Sequence, residues 1–85
     1  MTKILIIGYS SLVKRRIISS LIRKNIPYDV ASRSKKQKDF KAANWYHGYT
    51  KAINNSDAEI AYISLPNSLH YVWAMKTLKK GLLNI

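Results

Sequence analysis

Eighty-five residues, 47% of them hydrophobic and including two tryptophans and six tyrosines, describe one small globular domain with a marginal core, not a disordered tail. Cysteine is absent, which excludes disulfides and thiolate metal sites, and the opening apolar run Ile4–Ile7 is far too short for a signal-peptide core or a membrane span. A soluble cytoplasmic domain is the expectation. Fifteen Lys and Arg against Asp29, Asp39, Asp57 and Glu59 give a net charge of +11, which invites an anionic partner. The basic residues are scattered in small groups at 14–16, 33–41 and 76–80, however, and no nucleic-acid module accompanies them.

In chain order, Ile4-Leu5-Ile6-Ile7 is a continuous apolar run, mostly β-branched and closed by Gly8, as in a central parallel strand covered on both faces. From Ser11 the period changes. Val13, Ile17 and Leu21, with Ile18 and Ile22, recur at four-residue steps and predict an amphipathic helix stopped by Asn25 and Pro27. Tyr28-Asp29-Val30-Ala31 reads as a second strand ending at Ser32, and a weak helix is expected over 35–43. "NWYHGY" predicts a short third strand ending at Gly48, and "TKAINNS" a helical turn or two.

"AEIAYISL" is the next strand, ended by Pro66. Asn67 or Ser68 is expected to cap the following helix, and Leu69, Val72, Trp73, Met75 and Leu78 to line its buried side. Lys79 and Lys80 suit its negative end and Gly81 its stop, after which "LLNI" begins another strand. Alternating strands and helices imply an α/β fold, a doubly wound parallel sheet with right-handed crossovers.

Three stretches, "ILIIGYSSLVKRR", "YDVASRS" and "NNSDAEIAYISLPNSLHYVWAMKTLKKG", resemble the N-terminal NAD(P)-binding Rossmann domain of the Gfo/Idh/MocA oxidoreductases along the whole chain. Pro66, Asn67 and His70 match the family's P-N-x-x-H, and Ala74 and Gly81 match the helix behind it. The resemblance implies strand order 3-2-1-4-5, with Gly8, Ser32 and Pro66 together at the carboxyl edge of the strands. It also implies a dinucleotide held by Gly8, Ser10, Ser11, Leu12, Ser32, Arg33, Lys36, Leu65, Pro66, Asn67 and His70, and a sugar or polyol as substrate.

Two residues depart from the fingerprint G-x-G-x-x-G, in which backbone N–H groups and a helix start receive the pyrophosphate. Ser10 stands where a glycine lets the backbone approach phosphate, but its hydroxyl can itself donate to an oxygen. Val13 stands where a glycine lets helix and strand pack closely, so a wider spacing is expected. "GYSS" also begins like the nucleophile elbow G-x-S-x-G, yet Leu12 occupies its second glycine and neither His47 nor His70 has an orienting acid in view. His47 reads as a loop residue and Trp45 and Trp73 as packing.

Cofactor choice is written where the second strand ends. Asp29 lies about the right distance from Gly8 for the ribose-binding carboxylate of an NAD enzyme, but Val30 and Ala31 continue the strand beyond it. Ser32 and then Arg33, Ser34, Lys35 and Lys36 occupy the end, and a planar guanidinium there suits the 2′-phosphate of NADP. NADP is therefore favoured over NAD.

In the family, the strand beginning at "LLNI" ends in an E-K-P motif whose lysine lies by nicotinamide and substrate, and a second domain builds the substrate pocket. The expectation is a cofactor-binding fragment spanning residues 1–85, lacking a substrate domain and any catalytic residue, inactive alone, and sticky at an unpaired apolar edge. The competing reading is a small basic α/β module for nucleic acid or an acidic protein.

Overall fold

The structure, a computed structural model, describes residues 2–34 and 41–85. Five strands form β1 (Ile4–Ile7), β2 (Tyr28–Ser32), β3 (Asn44–His47), β4 (Ile60–Ile63) and β5 (Leu83–Asn84). They make one parallel sheet in the order β3-β2-β1-β4-β5, as expected. β1 takes the centre because all four of its side chains are apolar and all are buried. Its alternation divides the core: Leu5 and Ile7 face one side with Ala31, Ala52, Ala61 and Ile63, and Ile4 and Ile6 face the other with Val13, Ile18, Leu21 and Val30. Each fully buried Leu or Ile contributes on the order of 1.5–3 kcal/mol.

The predicted first helix runs from Ser11, but it is not uniform. Val13–Ile18 is π-wound and continues directly into α1 (Ser19–Arg23). Winding by five residues turns both Val13 and Ile18 toward the sheet, where they are 2% and 4% exposed. Asn25 ends this helix as predicted. At φ 57° it occupies the left-handed region, and the N–H groups of Ile26 and Asn25 return to the carbonyls of Leu21 and Ile22.

α2 (Tyr49–Asn55) and α3 (Asn67–Lys79) cover the face that carries Leu5 and Ile7. Two expectations for α3 need correction. Neither Asn67 nor Ser68 caps it: Pro66 occupies the N-cap position, and its carbonyl receives the N–H groups of Leu69 and His70. Of the five side chains expected on its buried side, only Trp73 packs on the core. Thr77 is fully buried and Trp73 and Ala74 pack on the core, whereas Leu69, Val72, Met75 and Leu78 are 38–50% exposed.

The physical reason for the second correction is the small size of Ala74 and Thr77, which lets the helix approach the sheet closely. Thr77 satisfies its buried hydroxyl by donating to the Ala74 carbonyl at 2.8 Å, beside the Asn84 side chain. Most of the helix expected over 35–43 lies outside the described residues. Among the described residues, no helix is long and apolar enough to cross a membrane.

At the amino edge of the sheet, Asp29 is fully buried and holds three elements. Its carboxylate accepts hydrogen bonds from Ser56 Oγ at 2.6 Å and Asn44 Nδ2 at 3.1 Å, and Lys3 Nζ lies 3.6 Å away. Lys3 also donates to Asp57 at 2.7 Å. That bond raises the Lys3 pKa above its ordinary value and lowers that of Asp57. The two shifts have opposite consequences for stability.

Asp57, depressed in the folded state, stabilises above its unfolded value of about 3.9, and that contribution is lost as pH falls through the lower folded value. Lys3, raised, stabilises below its unfolded value of about 10.4 and loses this as pH climbs through the higher folded value. Urea melts across pH should therefore show an acid limb and an alkaline limb that are both shallower in Lys3→Met. Unchanged limbs in that variant would remove Lys3 from the account.

Candidate functional site

Because every strand is parallel, all carboxyl ends meet at one edge, opposite Asp29. The ladder continues past the strands there. Gly8 N–H donates to Ala31 at 2.9 Å, Ser64 N–H to Ile7 at 2.8 Å and Gly48 N–H to Ser32 at 3.0 Å. Gly8, Ser32 and the Ser64-Leu65-Pro66 turn are thereby brought together, as the strand endings predict. Asp29, three residues before Ser32 on β2, belongs to the other edge and is committed to Lys3, Asn44 and Ser56.

Gly8 has to be glycine. Its φ is +97°, and a Cβ built there would lie 2.4 Å from the Ser64 carbonyl oxygen and 2.9 Å from Leu65 Cδ2. The loop after β1 thus runs closely against the loop after β4. Two serines fasten that contact. Ser10 Oγ accepts the Val13 N–H at 3.1 Å, as an N-cap hydroxyl does, and lies 3.0 Å from Ser64 Oγ. Ser11 and Leu12 follow as exposed residues of the first helical turn.

Around Ser32 the chain turns sharply, with Ser32 buried and its Oγ accepting the Ser34 N–H at 3.1 Å. Arg33 is exposed and lines a cavity of about 460 Å³ at this edge. His47 and Lys51 add two more basic side chains to it, and Tyr49, Leu69 and Trp73 supply its apolar surface. Tyr49 and Trp73 meet edge to face, centroids 5.1 Å apart. The arrangement can hold a flat apolar group beside an anion.

Leu65 is half-buried against the core beside Gly8, and Pro66, Asn67 and His70 lie exposed at the start of α3. Leu69 and Trp73, not His70, carry α3 into the cavity. Lys36, expected beside Arg33, lies outside the described residues. Sequence reasoning missed His47, Lys51, Tyr49 and Ser64 as site residues and assigned Trp73 to packing alone. His47, read from the sequence as a loop residue, is instead the last residue of β3, where register pairs it with Ser32. For Ser64 the sequence held no signal, because its partner is 54 residues away.

No family model matches the sequence, and no curated protein sequence matches it. Solved structures do match. A variant of the 3-ketoreductase KijD10 from Actinomadura kijaniata, solved with NADP and TDP-benzene, superposes with TM-score 0.82 at 22% identity over 99% of this chain and 28% of its own. The apo scyllo-inositol dehydrogenase of Lactobacillus casei gives 0.78 at 18% identity, with 99% and 28% covered. The fold is Rossmann-like. A third Rossmann-like match, the Bacillus subtilis protein yvaA, described as an oxidoreductase, gives 0.72 at 22% identity, with 99% and 26% covered. The chain therefore spans little more than a quarter of each of these proteins.

Proposed function

We propose that this Rossmann-like chain is the dinucleotide-binding unit of an NADP-preferring oxidoreductase of the Gfo/Idh/MocA type, acting on a sugar or polyol. The observation that carries the reading is the meeting of three features at one sheet edge. A glycine is pressed against the Ser64 backbone, a hydroxyl-capped helix starts at Ser11, and a cavity is lined by Arg33. These fit the cofactor. The Gly8–Ser10 loop offers backbone and hydroxyl donors to a diphosphate, Arg33 offers a planar fork to a 2′-phosphate, and Tyr49, Leu69 and Trp73 offer flat apolar surface to an adenine. The solved neighbours support it: one was crystallised with NADP, and two are named for reactions on carbonyl or polyol substrates.

When bound, the nicotinamide supplies hydride transfer, chemistry that side chains do not carry. The residues of this chain bind and orient it. The substrate pocket is assigned to a second domain, as in the family. The alternative, a basic module for nucleic acid or an acidic protein, gains nothing from the neighbours.

Calorimetry with both cofactors tests the proposal. NADP should bind more tightly than NAD, and Arg33→Ala should cost roughly 1–3 kcal/mol of NADP binding while leaving NAD nearly unchanged. Equal affinities for the two cofactors, or an equal loss of both in the variant, would refute the assignment.

A further inference from the structure

A second cavity, of about 310 Å³, opens between α2 and the C-terminal half of α3. Both helices follow strands of one parallel sheet and cover the same face, so both run from its carboxyl edge toward its amino edge. Ile53 and Trp73 form the apolar wall, and Lys76, Lys79 and Lys80 surround it, all three exposed. Thr50 and Trp73 also line the cavity that holds Arg33, but none of these three lysines does. At about 1.5 Å per residue, Lys79 stands roughly 18 Å along α3 from Asn67 at the carboxyl edge.

The positive charge here is not matched by acids. Asp29, Asp57 and Glu59 are the acidic groups among the described residues, and Asp29 and Asp57 both face Lys3. No ion pair among the described residues reaches Lys76, Lys79 or Lys80. Like charges three and four residues apart on a helix repel. The negative end of a helix offsets only about half a unit of positive charge, against three units at this spot. A bound anion would relieve that repulsion.

Trp73 adds a second preference. Its ring meets Tyr49 edge to face, centroids 5.1 Å apart, and Lys76 Nζ lies over it, 4.5 Å from the centroid. The indole is thus held by two neighbours, and a flat apolar surface stands beside a cation. The volume falls at the small end of the range for small-molecule sites, which suits one or two fused rings and not a polymer.

We propose that this groove is a second ligand site, for a small aromatic anion. The anionic group sits among the three lysines, and the ring lies against Trp73 and Ile53. Its charged side chains differ from those of the cofactor cavity, so the proposal stands apart from the cofactor reading.

Equilibrium dialysis with 2-naphthoate tests it, with uncharged 2-naphthamide as the control. The naphthoate should bind with a Kd of about 1 mM or tighter, as its size allows, and the amide at least about tenfold more weakly. The triple variant Lys76→Gln, Lys79→Gln, Lys80→Gln changes only exposed side chains and should lose about tenfold for the naphthoate at an unaltered urea midpoint. Arg33→Ala should bind it like wild type.

No detectable binding of the naphthoate, equal affinity for naphthoate and naphthamide, or unchanged affinity in the triple variant would overturn the proposal. So would a loss in Arg33→Ala, which would put the probe in the cavity at the carboxyl edge. Displacement by an oligo-glutamate peptide or a short DNA strand would also overturn it, by assigning the lysines to a macromolecular partner.

Discussion

Gly8→Ala is expected to destabilise the domain by about 3 kcal/mol or more and to abolish measurable cofactor binding. Two costs add. A side chain at φ +97° occupies a left-handed region that costs roughly 1–2 kcal/mol. The new Cβ would also lie 2.4 Å from a backbone oxygen, that of Ser64, which no rotamer change relieves. The β4 loop would have to retreat, and the hydrogen bond between Ser10 and Ser64 would stretch with it. A domain of this length has only roughly 4–13 kcal/mol in total, so the variant should melt at a much lower urea midpoint. A midpoint within experimental error of wild type would show that the close approach between the loops is dispensable.

Asp29→Ala should be comparably severe, at about 3–5 kcal/mol, without touching the carboxyl edge directly. The substitution strands two donors, Ser56 Oγ and Asn44 Nδ2, and removes the buried counter-charge that lies 3.6 Å from Lys3. Ser56 is the C-cap of α2 and its hydroxyl also accepts the Ala58 N–H, so the end of that helix and the approach to β4 loosen together. Asp29→Asn, which keeps an acceptor for one donor, should cost less than the alanine variant. Equal urea midpoints for the two would mean that the lost carboxylate charge, not the retained acceptor, sets the cost at this position.

Most of the fold was legible because the strands are short, strongly apolar and punctuated. Ile4–Ile7 declares itself as a buried central strand, and Gly8, Ser32 and Pro66 each mark the point where a strand gives way to a loop. Asn25 and Gly81 declare the helix ends through residues that tolerate positive φ. What could not be read was the orientation of α3. Its apolar residues run almost all the way round, so hydrophobicity could not choose a face. Packing chose the one with Ala74 and Thr77, because small side chains allow close approach.

The site divides along the same line. Gly8, Ser10 and Arg33 were visible as departures from or matches to a local pattern. His47, Lys51 and Ser64 became visible only when the sheet brought distant segments together, through pairings such as Ser32 with His47 that no local pattern encodes.

The central position of β1 has a bearing on the thermodynamics of recognition. Gly8 leaves a strand that is hydrogen-bonded on both sides and wholly buried, and Ser64 leaves its immediate neighbour. The loops proposed to meet the cofactor are thus anchored to the buried centre of the sheet. Their loss of conformational freedom is incurred when the sheet forms, and little of it remains to oppose association. A dinucleotide binding as proposed would meet loops already held by the sheet, so its affinity would depend mainly on the contacts it makes.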